Sequence, residues 1–131
     1  MIVVDTSAWV EFLRDTGSEV CNTVDALLDA DIAICDAISM EVLAGARNER
    51  HLGELRRLLA RAVDPDHFGG LRRSRGVPAL SGAAARTVRK MIDCLIGAVT
   101  IRARVPILHS DADFAALTRH TSLVAHPTSG S

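Results

Sequence analysis

The sequence lacks the cysteine pattern of a small secreted or zinc-stabilised domain. Its three cysteines, Cys21, Cys35 and Cys94, are far apart and outside any CxxC spacing. An odd number of scattered cysteines argues against both a disulfide framework and a zinc site. We therefore predict that all three are small core residues, with a redox or nucleophilic role as the alternative.

Long apolar runs and targeting signals are also missing. No run approaches the roughly 18 residues that a membrane span needs, and the first residues, MIVVDTS, have neither a basic region nor a cleavage-site pattern. No internal repeat or linker composition is visible, and 131 residues suffice for one core. We expect a single cytoplasmic domain over residues 1–126, followed by a disordered tail over 127–131.

The formal net charge of −1 conceals a division along the chain. Residues 1–66 hold 13 acidic and 6 basic residues, a net charge of −7, whereas residues 67–131 hold 3 acidic and 9 basic residues, a net charge of +6. A basic C-terminal half could bind a phosphate backbone. Solvated helix faces are the alternative interpretation of the same charges.

Strand-like and helix-like segments alternate. Short β-branched or apolar runs predict strands at 2–4, 32–35, 106–109 and 122–125, and amphipathic spacing predicts helices after Asp5 and at 18–30, 37–46, 48–62, 87–104 and from about 110. The stretch 68–83 contains four glycines and a proline and shows no regular period. The alternation predicts an α/β fold, a three-layer α/β/α sandwich with a mostly parallel central sheet.

Acidic residues follow the predicted strands at one edge of the sheet. Asp5 ends the first strand, and Asp111 closely follows the strand at 106–109. Loops beyond the carboxyl ends of parallel strands form the ligand crevice of such sheets. Glu41 lies near the start of the helix that leaves the second strand, and Asp93 lies in the second turn of its predicted helix. Four acids are therefore expected to converge.

Each acid also has an ordinary explanation, except Asp93. Asp5, Asp111 and Asp113 precede or begin helices, where carboxylates cap free N–H groups, and Glu41 could be a solvated side chain. Capping cannot explain Asp93, which stands in the apolar segment MIDCLIGAVTI. A buried charge needs a cation; the alternative is an ion pair with Arg89 or Lys90 at the edge of the helix.

Converging carboxylates repel one another unless a hard cation neutralises them. An oxygen-only ligand set suits Mg²⁺ or Mn²⁺. Such an ion can bind a scissile phosphate and lower the pKa of an attacking water. The residues therefore predict metal-assisted hydrolysis of a phosphodiester.

Four segments carry acidic residues in a fixed order and spacing: MIVVDTSAWVEFL, ISMEVLAGA, TVRKMIDCLIGAVTIR and ILHSDADFAAL. Together they resemble the PIN-domain ribonucleases. Within that family they are most similar to the VapC toxins of bacterial toxin–antitoxin pairs, especially the mycobacterial kind. The resemblance implies a metal-dependent endoribonuclease acting on structured RNA such as tRNA or rRNA. It also implies a homodimer and a cognate VapB-like antitoxin whose C-terminal segment blocks the groove, often with a basic side chain.

The resemblance assigns roles to particular residues of this chain. The catalytic acids are Asp5, Glu41, Asp93 and Asp111, the metal ligands among them are Asp5, Asp93 and Asp111, and Asp113 is a supporting acid. Thr6 and Ser7 fit as residues that orient Asp5 or a water, although capping explains them equally well. Arg86, Arg89 and Lys90 are the candidates for binding RNA.

Two residues near the predicted site, His109 and Trp9, are expected to be structural. Strand alternation points His109 to the face opposite Ser110, so we interpret His109 as structural, and Ser110 could orient Asp111 or a water. Trp9 is expected in the core or at a dimer contact rather than as a base-stacking platform.

Two competing functions stay open. One is a non-catalytic, receiver-like domain that binds Mg²⁺, which would be expected to keep a lysine after its last acid, whereas the only lysine here is Lys90. The other is a homologue that binds its antitoxin but cuts poorly, because the stretch 68–83 replaces the regular helix that PIN-domain relatives carry before the third acid.

Overall fold

The computed structural model describes residues 1–30, 32–62 and 82–130, and for residues 82–89 the backbone alone. Within these ranges the chain forms three strands and six helices, in the order β1 (Ile2–Val4), α1 (Thr6–Leu13), α2 (Glu19–Leu27), β2 (Ile32–Ala33), α3 (Asp36–Ala44), α4 (Glu49–Leu59), α5 (Gly82–Ala103), β3 (Ile107–Leu108) and α6 (Ala112–His120).

The three strands form a parallel sheet in the order β2-β1-β3. Val3 of β1 pairs with Ala33 of β2 on one side and with Ile107 of β3 on the other. Successive strand residues point to opposite faces, and the consecutive residues Val3 and Val4 are both fully buried. Both faces of the sheet are therefore covered, which confirms the predicted α/β sandwich.

Side-chain caps explain where several helices begin. Asp5 accepts a hydrogen bond from the backbone N–H of Ser7 at the start of α1, and Asp111 accepts one from Asp113 at the start of α6. Ser18 caps α2 and Asn48 caps α4 in the same way. Because β1 and β3 are parallel, the capping acids that follow them lie at the same edge of the sheet.

The packing of α3 and α5 brings Glu41 and Asp93 to the same edge of the sheet. Helix α5 packs against α3 and α6, and α1 packs against α2 and α3. The largest fully buried side chains, Trp9, Phe114, Ile38 and Ile96, come from α1, α6, α3 and α5. Trp9 therefore belongs to the core of the chain.

Helix α5 differs from its prediction in two respects. It begins at Gly82 rather than near Thr87, because the three alanines that follow Gly82 are strong helix formers. Asp93 consequently lies in the middle of the helix and not in its second turn. The amphipathic spacing of this helix predicts that Leu95 is buried with Ile96 and Val99, but Leu95 is 52% exposed.

The strand predicted in the C-terminal region is wrong. Residues 122–125 form no strand; a single parallel bridge joins Ala125 to Ile107. In the segment predicted as a tail, Gly130 donates a backbone hydrogen bond to the carbonyl of His109 at 2.9 Å, and the side chain of Ser129 accepts one from the N–H of His109 at 3.1 Å. Backbone pairing along β3 offers these residues bonds that their polar composition does not reveal.

The cysteine predictions are confirmed at two positions and wrong at the third. Cys21 and Cys35 are buried, whereas Cys94 is exposed on α5. The predicted irregular stretch 68–83 lies outside the described residues, apart from its last two, which belong to α5. In the part of the chain that the structure describes, no helix is long and apolar enough to cross a membrane.

Candidate active site

Six acidic residues line one cavity at the carboxyl edge of the sheet, which we call the acid cleft. It has a volume of about 560 Å³. Its lining residues come from the ends of β1 and β3 and from α1, α3, α5 and α6: Asp5, Thr6, Ser7, Val10, Glu11, Glu41, Lys90, Asp93, Ser110, Asp111 and Asp113. All four predicted catalytic acids and the supporting Asp113 thus share one cavity, together with the additional acid Glu11.

Three carboxylates of the acid cleft approach one another closely. One oxygen from each of Asp93, Asp111 and Asp113 lies within 4.8 Å of the other two. Asp5, which the resemblance gives as a metal ligand with Asp93 and Asp111, lines the same cavity but does not belong to this close group, whereas Asp113 does. The donor set consists of carboxylate oxygens only, which fits a hard divalent cation such as Mg²⁺.

Among the described residues, burial and negative charge dominate the electrostatics of Asp93. Burial, the largest cause, and the negative charges of Asp5, Asp111, Glu41 and Asp113 together raise the pKa of Asp93 to about 7. The ion pairs among the described residues, Arg50 with Glu54 and Arg61 with Asp29, lie elsewhere. An ion pair with Lys90 is thus absent from the described contacts, and the side chain of Arg89 lies outside the described residues.

Asp5 is buried and held by its neighbours. Its Oδ2 accepts hydrogen bonds from the hydroxyl of Ser7 at 2.7 Å and from the backbone N–H of Ser7 at 3.0 Å. Burial raises the pKa of Asp5, the bonds from Ser7 oppose that rise, and the charge of Asp111 adds to it. Ser7 also accepts a hydrogen bond at 2.8 Å from the N–H of Ser110, so one hydroxyl connects the ends of β1 and β3.

Glu41 and Asp111 are oriented by short side-chain contacts. The hydroxyl of Thr6 donates to Oε1 of Glu41 at 3.0 Å. Oδ1 of Asp111 accepts from the N–H of Asp113 at 2.8 Å. The carboxylate of Asp111 therefore both caps α6 and lines the acid cleft.

The other predicted residues divide between the cleft and the core. His109 is buried, its ring lies 5.6 Å from that of Phe114, and its Nδ1 accepts from the N–H of Asp111. Burial lowers the pKa of His109, against the opposing charges of Asp5 and Asp111. Ser110 lines the acid cleft, as alternation predicts. Lys90 is exposed there, and the side chains of Arg86 and Arg89 lie outside the described residues.

Glu11 is a cleft residue that sequence reasoning missed. Its carboxylate accepts hydrogen bonds from Thr16, from Ser18 at 3.1 Å and from Ser110 at 3.5 Å. The bond from Thr16 lowers the pKa of Glu11. The available signal was its spacing, because residues four apart on a helix share a face and Glu11 lies four residues after Ser7.

The fold and the site together define a class of α/β proteins with an oxygen-ligand centre at the carboxyl ends of parallel strands. The family model for the PIN domain matches residues 2–119, and the chain belongs to this family. It is 41% identical over 130 residues to "VapC ribonuclease Mb1587" of Mycobacterium bovis. The identity is the same to "Ribonuclease VapC11" of two Mycobacterium tuberculosis strains, CDC 1551 and H37Rv. Each alignment covers 95% of this chain and 97% of the relative.

Proposed function

We propose that this protein is a VapC-type toxin, a metal-dependent endoribonuclease that hydrolyses phosphodiester bonds of RNA such as tRNA or rRNA. The observation that carries the proposal is the convergence of Asp93, Asp111 and Asp113 in the acid cleft. Similarity to VapC ribonucleases over nearly the whole chain supports the activity. Neither the receiver-like function nor the catalytically impaired one is favoured by a described contact.

Some residues of the acid cleft would bind the cation or the RNA, and others orient the acidic side chains. Asp93, Asp111 and Asp113 would hold the cation, with Asp5 and Glu41 completing the acidic wall. A divalent cation supplies polarisation of the scissile phosphate and a water of lowered pKa. Ser7 fixes the carboxylate of Asp5, Thr6 fixes that of Glu41, and the exposed ammonium of Lys90 binds a phosphate of the RNA.

The test is cleavage of purified tRNA and rRNA with Mg²⁺ or Mn²⁺, with and without EDTA. Asp93→Asn and Asp5→Asn should each lower the cleavage rate by a factor of about 100 or more, since roughly this much is lost with a single electrostatic group of an active site. Asp25→Asn, which changes an exposed acid outside the cleft, is the matched control and should cut normally. Cleavage that survives in EDTA, or in both cleft variants, contradicts the proposal.

We further propose that the toxin acts in the cytoplasm and is inhibited by a cognate VapB-like antitoxin. A basic side chain from the antitoxin would bind among the cleft acids, whose mutual repulsion makes a cation stabilising there. Copurification of the two proteins, with RNA cleavage restored after the antitoxin is removed, is the expected result.

The proposed assembly is a homodimer. On α5 the large apolar side chains of Met91 and Leu95 are 61% and 52% exposed, one helical turn apart. Neighbouring exposed apolar side chains of this size are typical of protein interfaces. A second copy of the chain is the partner that we propose for this face.

A further inference from the structure

A second cavity adjoins the acid cleft, and we call it the basic groove. Its volume is about 520 Å³, and it shares Thr6, Val10 and Glu41 with the acid cleft. Three basic residues line it: Arg14, Arg47 and His51. A chain lying in the acid cleft can therefore continue into the basic groove across a common wall.

The basic residues come from three places in the fold that meet only in the folded chain. Arg14 ends α1, Arg47 lies in the connection between α3 and α4, and His51 lies in the first turn of α4. All three belong to the acidic half of the sequence. The net charges of the two halves of the sequence therefore give no indication of this basic cluster.

The arginine side chains are available to a ligand. Arg14 and Arg47 are exposed, and the ion pairs and side-chain hydrogen bonds found among the described residues involve neither guanidinium group, although the charge of Arg14 also acts on Glu11. An arginine fork matches the geometry of a phosphate and binds it through two parallel hydrogen bonds. Two such forks at one cavity favour an anionic ligand.

His51 adds a donor of defined position. Its Nδ1 accepts a hydrogen bond from the backbone N–H of Arg47 at 3.0 Å. In the neutral ring the proton is therefore on Nε2, which can donate to a ligand. The backbone N–H of His51 donates a hydrogen bond to the side chain of Asn48, which caps α4. His51 therefore lies at the N-terminus of this helix, where the helix dipole also favours an anion.

We propose that the basic groove binds a backbone phosphate of the RNA that lies beside the scissile phosphate. This inference rests on the proposed ribonuclease function and adds the subsite that positions the substrate. A polyanion entering a cavity lined by six acids is repelled, and cations next to that cavity compensate for the repulsion. Arg14 and Arg47 supply positive charge at the Glu41 side, where the Nε2–H of His51 adds a hydrogen-bond donor, and Lys90 supplies a positive charge within the acid cleft.

The experiment measures RNA binding separately from cleavage. Arg14→Gln and Arg47→Gln are introduced together into the Asp93→Asn chain, and binding of a fluorescein-labelled RNA of about 12 nucleotides and random sequence is followed by anisotropy over a range of salt concentrations. We expect RNA binding to be about tenfold weaker than in the Asp93→Asn parent. The slope of the logarithm of the association constant against the logarithm of the salt concentration should also be smaller in magnitude by about 0.7, because one phosphate is no longer neutralised. In the otherwise unchanged chain, the same pair should raise KM for tRNA cleavage more than it lowers kcat.

Two matched variants separate charge from fold. Arg14→Lys with Arg47→Lys keeps both charges and should restore most of the salt slope while recovering only part of the affinity. Arg56→Gln changes an exposed arginine of α4 that does not line the groove and should bind RNA as the parent does. Circular dichroism of every variant should match that of the parent.

The outcomes distinguish this inference from the function on which it rests. A wild-type chain that cuts no RNA overturns both. A wild-type chain that cuts, with a double glutamine variant of unchanged affinity and salt slope, overturns the phosphate subsite alone. The subsite is equally overturned if the double variant weakens only the binding of the antitoxin, because the groove then accepts an acidic peptide.

Discussion

At the scale of single residues, the carboxyl group of Asp93 lies where burial and neighbouring acids destabilise its ionised form. It stands in the middle of a mostly apolar helix and faces four other acids across the acid cleft. The sequence identifies it because helix capping cannot explain an acid in this apolar segment, which leaves a bound cation or an ion pair with Arg89 or Lys90 as the alternatives. The partner that the sequence cannot give is Asp113, whose proximity to Asp93 depends on the packing of α6 against α5.

The raised pKa of Asp93 predicts a pH-dependent stability of the metal-free chain. Between about pH 4 and pH 7 the folded chain holds a proton on Asp93 that the unfolded chain has released, so the free energy of unfolding falls as pH rises through this range. Asp93→Asn removes this dependence. In EDTA the variant should match wild type near pH 4 and exceed it in stability above pH 7.

Urea unfolding at several pH values checks this prediction. Asp25→Asn is the control, since Asp25 is exposed and outside the acid cleft. Added Mg²⁺ should reverse the order at about pH 8, because the cation stabilises the ionised wild-type cleft and has one ligand fewer in the variant. A wild-type chain whose stability follows that of Asp93→Asn at every pH contradicts the assigned electrostatics.

Ser7 predicts a second residue-scale effect. Its hydroxyl donates to Asp5 and accepts from the N–H of Ser110, so Ser7→Ala removes two hydrogen bonds and leaves two polar groups without that partner. We expect a loss of about 1–3 kcal/mol in the free energy of unfolding, together with slower RNA cleavage. Ser122→Ala, at an exposed position, should change neither; a Ser7→Ala chain of unchanged stability would show that water replaces both bonds.

At the scale of elements, the described strands are very short, and the sheet depends on backbone bonds from outside them. β2 and β3 have two residues each, and β3 receives additional backbone bonds from the C-terminal segment on the side away from β1. That segment reaches the loop that carries Ser110 and Asp111. The polar composition of residues 126–131 conceals this role, since its bonds are made by the backbone and by small hydroxyls.

Deletion of residues 127–131 therefore distinguishes a pairing segment from a disordered one. Loss of the bonds of Ser129 and Gly130 to His109 should lower the free energy of unfolding by about 1–3 kcal/mol and slow cleavage, because the loop before Asp111 loses its support. Thermal unfolding and cleavage rates measure both effects. Ser129→Ala should lose only part of the stability, and a truncated chain as stable and active as the full one would restore the expectation of disorder.

At the scale of the whole molecule, the sequence predicts the sheet and the edge at which the acids meet. Asp5 and Asp111 are recognisable because each comes soon after a buried strand, and parallel strands end at one edge. The sequence does not fix which way helix α5 is turned about its own axis: Leu95 and Cys94 face outward, although Ile96 of the same helix is buried. The basic groove is also missed, since Arg14 and Arg47 meet only through the packing of α1 and α3.

The exposed face of α5 predicts the state of assembly. Leu95→Glu places a charge on the proposed dimer contact and should convert a dimer into a monomer, measured by light scattering after size-exclusion chromatography. Charges at the centre of an interface are costly to desolvate. Val124→Glu changes another exposed apolar residue and should leave the dimer intact; a wild-type chain that is monomeric at micromolar concentration contradicts the prediction.

The pairing of β1 with β3 also governs when the protein becomes harmful during its own synthesis. β1 leaves the ribosome before its neighbour β3, which is made about a hundred positions later, from Ile107 onward. Until then two of the three carboxylates of the close group have not been translated. We therefore expect a product that terminates before Asp111 to be inert, because it lacks two of the carboxylates that would hold the cation.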